Sequence, residues 1–363
     1  MSSTEQPGIR PTVTSRSMAP LSGSRVGEGE TLRTVPLPGL TLAVRGLRRD
    51  PAVEEGAAGE GAVREGDARP PALYVHGLGG SSQNWSALMR ELAGDLDGEA
   101  VDLPGFGDSP PPDSGDYSIS GHARAVIRYL DADGRGPVHL IGNSLGGSVS
   151  TRVAAVRPDL VRTLTLISPA LPEIPPQRGT IPTVLVAVPG VARLFARLTK
   201  DWPPERRTSD MLSLCYGDPG RVTPGDFALA VEEYERRLTL PYFWDVMTRS
   251  ARGLVDAYTL GGQHALWRQA ERVLAPTLLV YGGRDQLVSF RMARRAASAF
   301  RDSRMLALPN AGHVAMMEYP EVVAPAVREL VQDSARLTER QDGRDAAGAT
   351  PATSATPATR KGD

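Results

Sequence analysis

Between Leu40 and Leu337 two hydrophobic patterns alternate. Short, nearly unbroken apolar runs ("LTLAVRGL" from Leu40, "ALYVHG" from Ala72, "GEAVDLPG" from Gly98, "PVHLIGNS" from Pro137, "VRTLTLISPA" from Val161) are separated by the helically spaced "NWSALMRELAG", "ISGHARAVIRYLDA" and residues 145–156. Apolar runs this short, each followed by a helix, read as strands of a parallel sheet covered on both faces. After about Leu171 the rhythm breaks into proline-punctuated sequence and then helical patterns without clear strands, up to about Gly262. That stretch reads as a helical insertion. The alternation resumes with "HALWRQAERVLA" (helix), "PTLLVYGGRD" (strand), "SFRMARRAASAF" (helix), "SRMLALPNAGH" (strand) and "PEVVAPAVRELVQDSARL" (helix).

Residues 1–30 and 337–363 are rich in Ser, Thr, Pro, Gly and charge without periodicity, and are expected to be disordered tails. A similar segment, Glu54 to Pro70, reads as an acidic mobile loop. The predicted organisation is a core of residues 31–170 and 263–336, interrupted by a cap of residues 171–262.

Composition narrows the classes of partner. Lys+Arg 41 against Asp+Glu 42 leaves a net charge of -1, with no global field to recruit nucleic acid. The cations are nearly all arginine, with Lys200 and Lys361 as the lysines, and they look scattered. One cysteine, Cys215, and five dispersed histidines give no zinc-ligand spacing, so neither metal nor cofactor is expected. No run of eighteen uncharged apolar residues occurs and the N-terminus lacks a signal-like apolar core, so the expected address is cytoplasmic, without stable membrane insertion. Oligomeric state is left open.

The candidate chemistry lies at strand ends, where open parallel sheets gather ligands. "LIGNSLGG" delivers Gly142-Asn143-Ser144-Leu145-Gly146, a G-x-S-x-G turn from strand into helix that holds a serine up at the helix N-terminus. A hydroxyl needs a base, and the base needs an orienting carboxylate. Two later strands end at Asp285 and His313, each beside glycine, giving the order Ser, Asp, His that this architecture requires. After "ALYV" comes His76-Gly77-Leu78-Gly79-Gly80, whose glycines let a peptide N–H approach a substrate. The oxyanion hole is therefore assigned to the amides of Leu78 and Leu145, with His76, Gly77, Gly79 and Asn143 supporting the pocket.

"HGLGG", "DLPGFGDS", "GNSLGG", "GGRD" and "GHVAMME", in that order over about residues 35–335, resemble the α/β-hydrolase fold family with a cap domain. The resemblance implies eight strands, mostly parallel with the second antiparallel, helices on both faces, and a lid over Ser144. It carries the nucleophile onto Ser144, the acid onto Asp285 and the base onto His313. It also implies a serine hydrolase of a small to medium apolar ester, acting through an acyl-enzyme. The alternatives are cleavage of carbon–carbon bonds in vinylogous diketone ring-fission products, a cyclising tailoring enzyme, and a ligand-binding receptor that keeps the triad. Asn143 favours the carbon–carbon reading, whereas Val314 and the "HGLGGSS" loop depart from it.

Other residues have plainer readings. Asp102 reads as a structural turn, His122, His139 and His264 as structural or solvated, and Cys215 as packing. Glu318 either caps the last helix or supports the loop of His313. The cap run "IPTVLVAVPGVARLFARL" is read as the wall of an acyl pocket in preference to a membrane contact.

Overall fold

The computed structural model describes residues 25–48, 69–259 and 265–348. Eight strands form one sheet: β1 (Glu30–Leu37), β2 (Leu40–Leu47), β3 (Pro71–Val75), β4 (Asp97–Val101), β5 (Val138–Asn143), β6 (Val161–Ile167), β7 (Thr277–Gly282) and β8 (Ser303–Leu308). Their spatial order is β1-β2-β4-β3-β5-β6-β7-β8, with β2 antiparallel to both β1 and β4 and all other pairs parallel. Strands β5 and β7 are buried at every position, as expected of central strands with helices on both faces.

Helices α1 (Ser86–Glu91), α2 (Ile119–Asp133) and α3 (Leu145–Val156) follow β3, β4 and β5. Between β6 and β7 lie α4 (Ile181–Val186), α5 (Val191–Leu198), α6 (Pro204–Cys215), α7 (Pro224–Thr239), α8 (Phe243–Thr259) and the short α9 (Leu266–Ala270). Helices α10 (Met292–Ala299), α11 (Ala315–Glu318) and α12 (Pro320–Gly348) complete the chain. Two hydrophobic clusters sandwich the sheet, one including Leu140, Val149 and Leu166 and the other Tyr74, Ile141 and Val280. Alternation along the strands sends neighbouring residues such as Leu140 and Ile141 to opposite faces.

Strand β1 escapes the apolar pattern because it is a mostly exposed edge strand; the pattern alone yields seven strands. Glu30, assigned to the N-terminal tail by composition, instead opens β1 and is buried. Its carboxylate accepts from Arg45 Nη1 at 2.6 Å and Arg90 Nη2 at 2.7 Å, so residues 25–30 are held against the core. At the other end α12 continues to Gly348, past Leu337 where the tail was expected to begin. Its Ala, Arg, Glu and Gln residues have high helix propensity even without an apolar stripe. The remaining tail segments, the acidic loop through residue 68 and His264 lie outside the described residues.

The large side chains of the cap run face solvent, contrary to a pocket wall. Ile181, Val184, Leu185, Val188, Leu194, Phe195 and Leu198 are all exposed, while the small Ala187 and Ala192 are buried. Helices α4 and α5 pack against α8, and the side of each that carries the short residues is the side that closes on the protein.

Candidate active site

Strand β5 ends in an elbow at Ser144, whose φ of 52° and ψ of -117° are unusual for a residue with a Cβ. The elbow is locked by its neighbours. Ser144 N–H donates to Ile167 O at 3.1 Å, and Ser144 O accepts from Ser148 N at 3.1 Å and Ala170 N at 3.0 Å. The flanking glycines answer to close approach: a Cβ on Gly142 would strike Gly146 O and Ser150 Oγ, and one on Gly146 would overlap the carbonyls of Val75 and His76. Leu145 is the first residue of α3, so its amide is one of the unpaired donors at the positive end of that helix.

Asp285 and His313 meet at the neighbouring strand ends. The His313 Nδ1–H donates to Asp285 Oδ2 at 2.9 Å, and both side chains are almost wholly buried. Burial pushes the Asp285 carboxyl up, but the His313 ring and its hydrogen bond outweigh this with help from Val288 N–H and hold it below the usual carboxylate range. Its other oxygen, Oδ1, accepts from Leu287 N at 2.8 Å and Val288 N at 2.9 Å. With Nδ1 donating, Nε2 is the ring's basic nitrogen. Asn143, directly before the serine, donates through Nδ2 to Ile167 O and to His313 O, both at 3.0 Å. The histidine's loop therefore hangs on the elbow itself.

The glycine loop is oriented by His76. Its Nε2 accepts from Leu103 N–H at 2.9 Å, so the other nitrogen is the donor, to Gly77 O at 2.7 Å. Burial lowers the pKa of this ring to about 3 and keeps it neutral. The Gly77 carbonyl also accepts from Gly80 N at 3.0 Å. In a trans peptide the C=O and the following N–H point opposite ways, so turning Gly77 O toward His76 turns the Leu78 N–H away from it. A Cβ on Gly77 would lie 3.1 Å from Ser144 Cβ, which places this loop directly against the serine.

The plainer readings resolve as follows. Asp102 braces a turn: its carboxylate accepts from Ser82 N at 2.5 Å and Asp108 N at 2.9 Å, and burial pushes its pKa up to about 6. His122 and His139 are buried, close to Ser250 Oγ (3.3 Å) and Thr163 Oγ1 (2.8 Å). Glu318 supports the histidine loop, its carboxylate accepting from Gly312 N at 2.7 Å, Asp218 N at 2.7 Å and Gly217 N at 3.2 Å. Cys215 contributes its carbonyl, which accepts from His313 N at 2.7 Å.

Two arginines on the insertion complete the surroundings and are not among the residues singled out from the sequence. Arg237 on α7 donates to Gly79 O in the glycine loop and to Ser81 Oγ at 3.0 Å, while its Nε donates to Glu233 Oε1 at 2.7 Å. Arg236 bonds the same carboxylate and reaches Gly107 O at 3.2 Å in the Asp102 turn. Burial raises the Glu233 carboxyl, but the two arginines outweigh it and hold the acid below its usual range. The local clue was "EYERR", which puts a glutamate three and four residues before two arginines on one helix. Ser168 is a further addition, a buried left-handed residue (φ 46°) directly after β6 whose N–H donates to Val280 O at 2.9 Å. Among the described residues no group of acidic, histidine or cysteine side chains is arranged to hold a metal.

A family model for the alpha/beta hydrolase fold matches residues 70–320. The chain is similar to monoacylglycerol lipase abhd6-B of Xenopus laevis, with 27% identity over 72% of this chain and 75% of that protein. It is also similar to the pimeloyl-[acyl-carrier protein] methyl ester esterase of Neisseria meningitidis serogroup A, with 28% identity over 78% of this chain and 83% of the relative. Among solved structures, that of a membrane phospholipase A described as a bacterial virulence factor superposes with a TM-score of 0.63. It covers 85% of this chain and 87% of its own at 23% identity, a likeness of fold.

Proposed function

Because the chain belongs to the α/β-hydrolase fold family, we propose that it hydrolyses a carboxylic ester of a small to medium apolar compound through an acyl-enzyme on Ser144. The observation that carries this reading is the buried Asp285–His313 pair, suspended from the serine elbow by Asn143. Ser144 Oγ attacks the ester carbonyl carbon while His313 Nε2 takes its proton, and Asp285 steadies the resulting imidazolium through Nδ1. The amides of Leu78 and Leu145 receive the charge that forms on the carbonyl oxygen. As the tetrahedral intermediate collapses, the C–O bond to the alcohol breaks and His313 returns the proton to that oxygen. Water, deprotonated by His313, then releases the acid and regenerates the serine. The names of the two curated relatives, a lipase and a methyl ester esterase, favour this chemistry over carbon–carbon cleavage.

The test is turnover of esters of graded acyl length beside a vinylogous diketone acid, with fluorophosphonate labelling in parallel. Wild type labels and turns over esters, whereas Ser144→Ala loses labelling and about five to six orders of magnitude in kcat. Turnover confined to the diketone, or labelling that survives in Ser144→Ala, overturns the assignment.

A further inference from the structure

Helices α4 and α5 carry the same apolar spacing twice. Ile181, Val184, Leu185 and Val188 stand at i, i+3, i+4 and i+7, as do Val191, Leu194, Phe195 and Leu198. Such a stripe normally turns inward. Here Ile181, Leu185, Leu194 and Leu198 are 51%, 50%, 55% and 71% exposed. Seven large apolar side chains exposed within eighteen residues form a concentration of the kind that marks an interaction surface.

The charges around this face identify what covers it. From Arg178 to Lys200 there are four cations and no acidic residue, against a net charge of -1 for the whole chain. Arg193 and Arg197, one turn apart on α5, flank the Leu194–Leu198 row, and both are exposed. Among the described residues, no ion pair engages Arg178, Arg193 or Arg197. Apolar side chains beside arginines whose heads reach solvent match the layered chemistry of a bilayer surface, with acyl chains beneath and anionic headgroups above. Neither helix of the hairpin is by itself long and apolar enough to cross a bilayer, and the two meet at a bend of 105°, a shape suited to lying in the headgroup boundary.

We propose that the α4–α5 hairpin docks shallowly on anionic lipid, laying its two apolar stripes in the headgroup boundary. The hairpin's base is tied to the catalytic side of the molecule. Gln177 Nε2 donates to Asp285 O at 3.1 Å and Thr180 Oγ1 to Leu287 O at 2.8 Å. A docked hairpin therefore sets the loop of Asp285 at a fixed height above the lipid. This is independent of the hydrolytic assignment, because binding does not require Ser144.

The test is flotation of the full chain with vesicles of phosphatidylcholine alone and of phosphatidylcholine mixed with phosphatidylglycerol. Wild type and Ser144→Ala both float with the mixed vesicles. The combined change Leu185→Ser, Leu194→Ser and Leu198→Ser lowers partitioning at least tenfold, leaving circular dichroism and turnover of a water-soluble short-chain ester unchanged. Arg193→Gln with Arg197→Gln weakens binding to the mixed vesicles about fivefold per arginine and leaves the neutral ones unaffected. Failure of wild type to float, or partitioning of the triple leucine-to-serine variant equal to that of wild type, overturns the proposal. So does concentration-dependent dimerisation that the serine variant abolishes while vesicle binding persists, which would assign the face to a second copy.

Discussion

Helix α3 and the α4–α5 hairpin are both rich in apolar residues, yet they treat their neighbours in opposite ways. On α3 Leu145, Val149 and Val153 are fully buried, and Gly146 and Gly147 let the helix lie almost on the carbonyls of β3 and the ring of Pro169. On the hairpin the stripe of large side chains is turned out and only alanines and half-buried residues meet the protein. Apolar spacing thus states that a face will be covered. It does not state by what. Around Ser144 the cover is the rest of the chain, packed closely enough to hold a strained serine, whereas on the hairpin the cover lies outside the chain.

The sharpest way to break this contrast is to enlarge one small residue in each region. Gly146→Ala places a Cβ against backbone oxygens of Val75 and His76, which cannot rotate away as a side chain does. Overpacking of this kind costs typically 1–3 kcal/mol, and the rigid backbone on the far side takes the expected loss to about 3 kcal/mol or more. Ala196→Val on α5, at a half-buried position, is expected to change stability by less than about 1 kcal/mol. Urea unfolding monitored by circular dichroism compares the two; equal midpoints would show that the elbow is not tightly packed.

The same contrast explains what the sequence revealed. Strands β3, β5, β6 and β7 were legible because parallel strands buried on both faces are written as unbroken apolar runs. Ser144, Asp285 and His313 were legible because each falls just past such a run, beside glycines that mark a crowded turn. Strand β1 was not, since an edge strand alternates and contains Pro36. Arg237 and Glu233 were hidden because a charge on an amphipathic helix normally faces water, and only packing of α7 onto the glycine loop makes them interior. The outward turn of the hairpin was not legible because spacing identifies a stripe but not which way it faces.

Arg237 ties another helix of the insertion, α7, to the glycine loop beside Ser144, so its removal tests whether the insertion matters to the chemistry. Arg237→Met retains most of the side chain's bulk while removing the bonds to Gly79 O and Ser81 Oγ, and it frees the peptide units around Leu78 to shift. The Glu233 carboxylate keeps Arg236 as a partner, so the fold is expected to survive. Displacement of an oxyanion donor by about 1 Å costs on the order of a hundredfold in rate. The expected result is a fall in kcat of about ten- to a hundredfold with KM little changed, partly restored by Arg237→Lys. An unchanged kcat would mean that the glycine loop holds its shape without the insertion.

Acid sharpens the comparison least in size but most in location, because the buried histidines belong to the sheet and its flanking elements. Burial lowers His76 to about 3 and His122 and His139 to about 4. Unfolded, each titrates near 6.5, so the unfolded chain takes up these protons first and the stability is complete above that pH and drains as it falls. Asp102 opposes them: raised to about 6 by burial, it binds its proton more tightly in the fold, so acidification relieves a cost. Three protons against one leave a net loss of about 3 kcal/mol per pH unit between pH 6 and 5. His122 makes the loosest contact of the three, 3.3 Å to Ser250 Oγ, beside Phe106 and Tyr117. His122→Leu should therefore fold and flatten the slope by about 1.4 kcal/mol per pH unit, measured as unfolding free energy from pH 7.5 to 5. An unaltered slope would show that His122 titrates normally and that water reaches the interior behind α2.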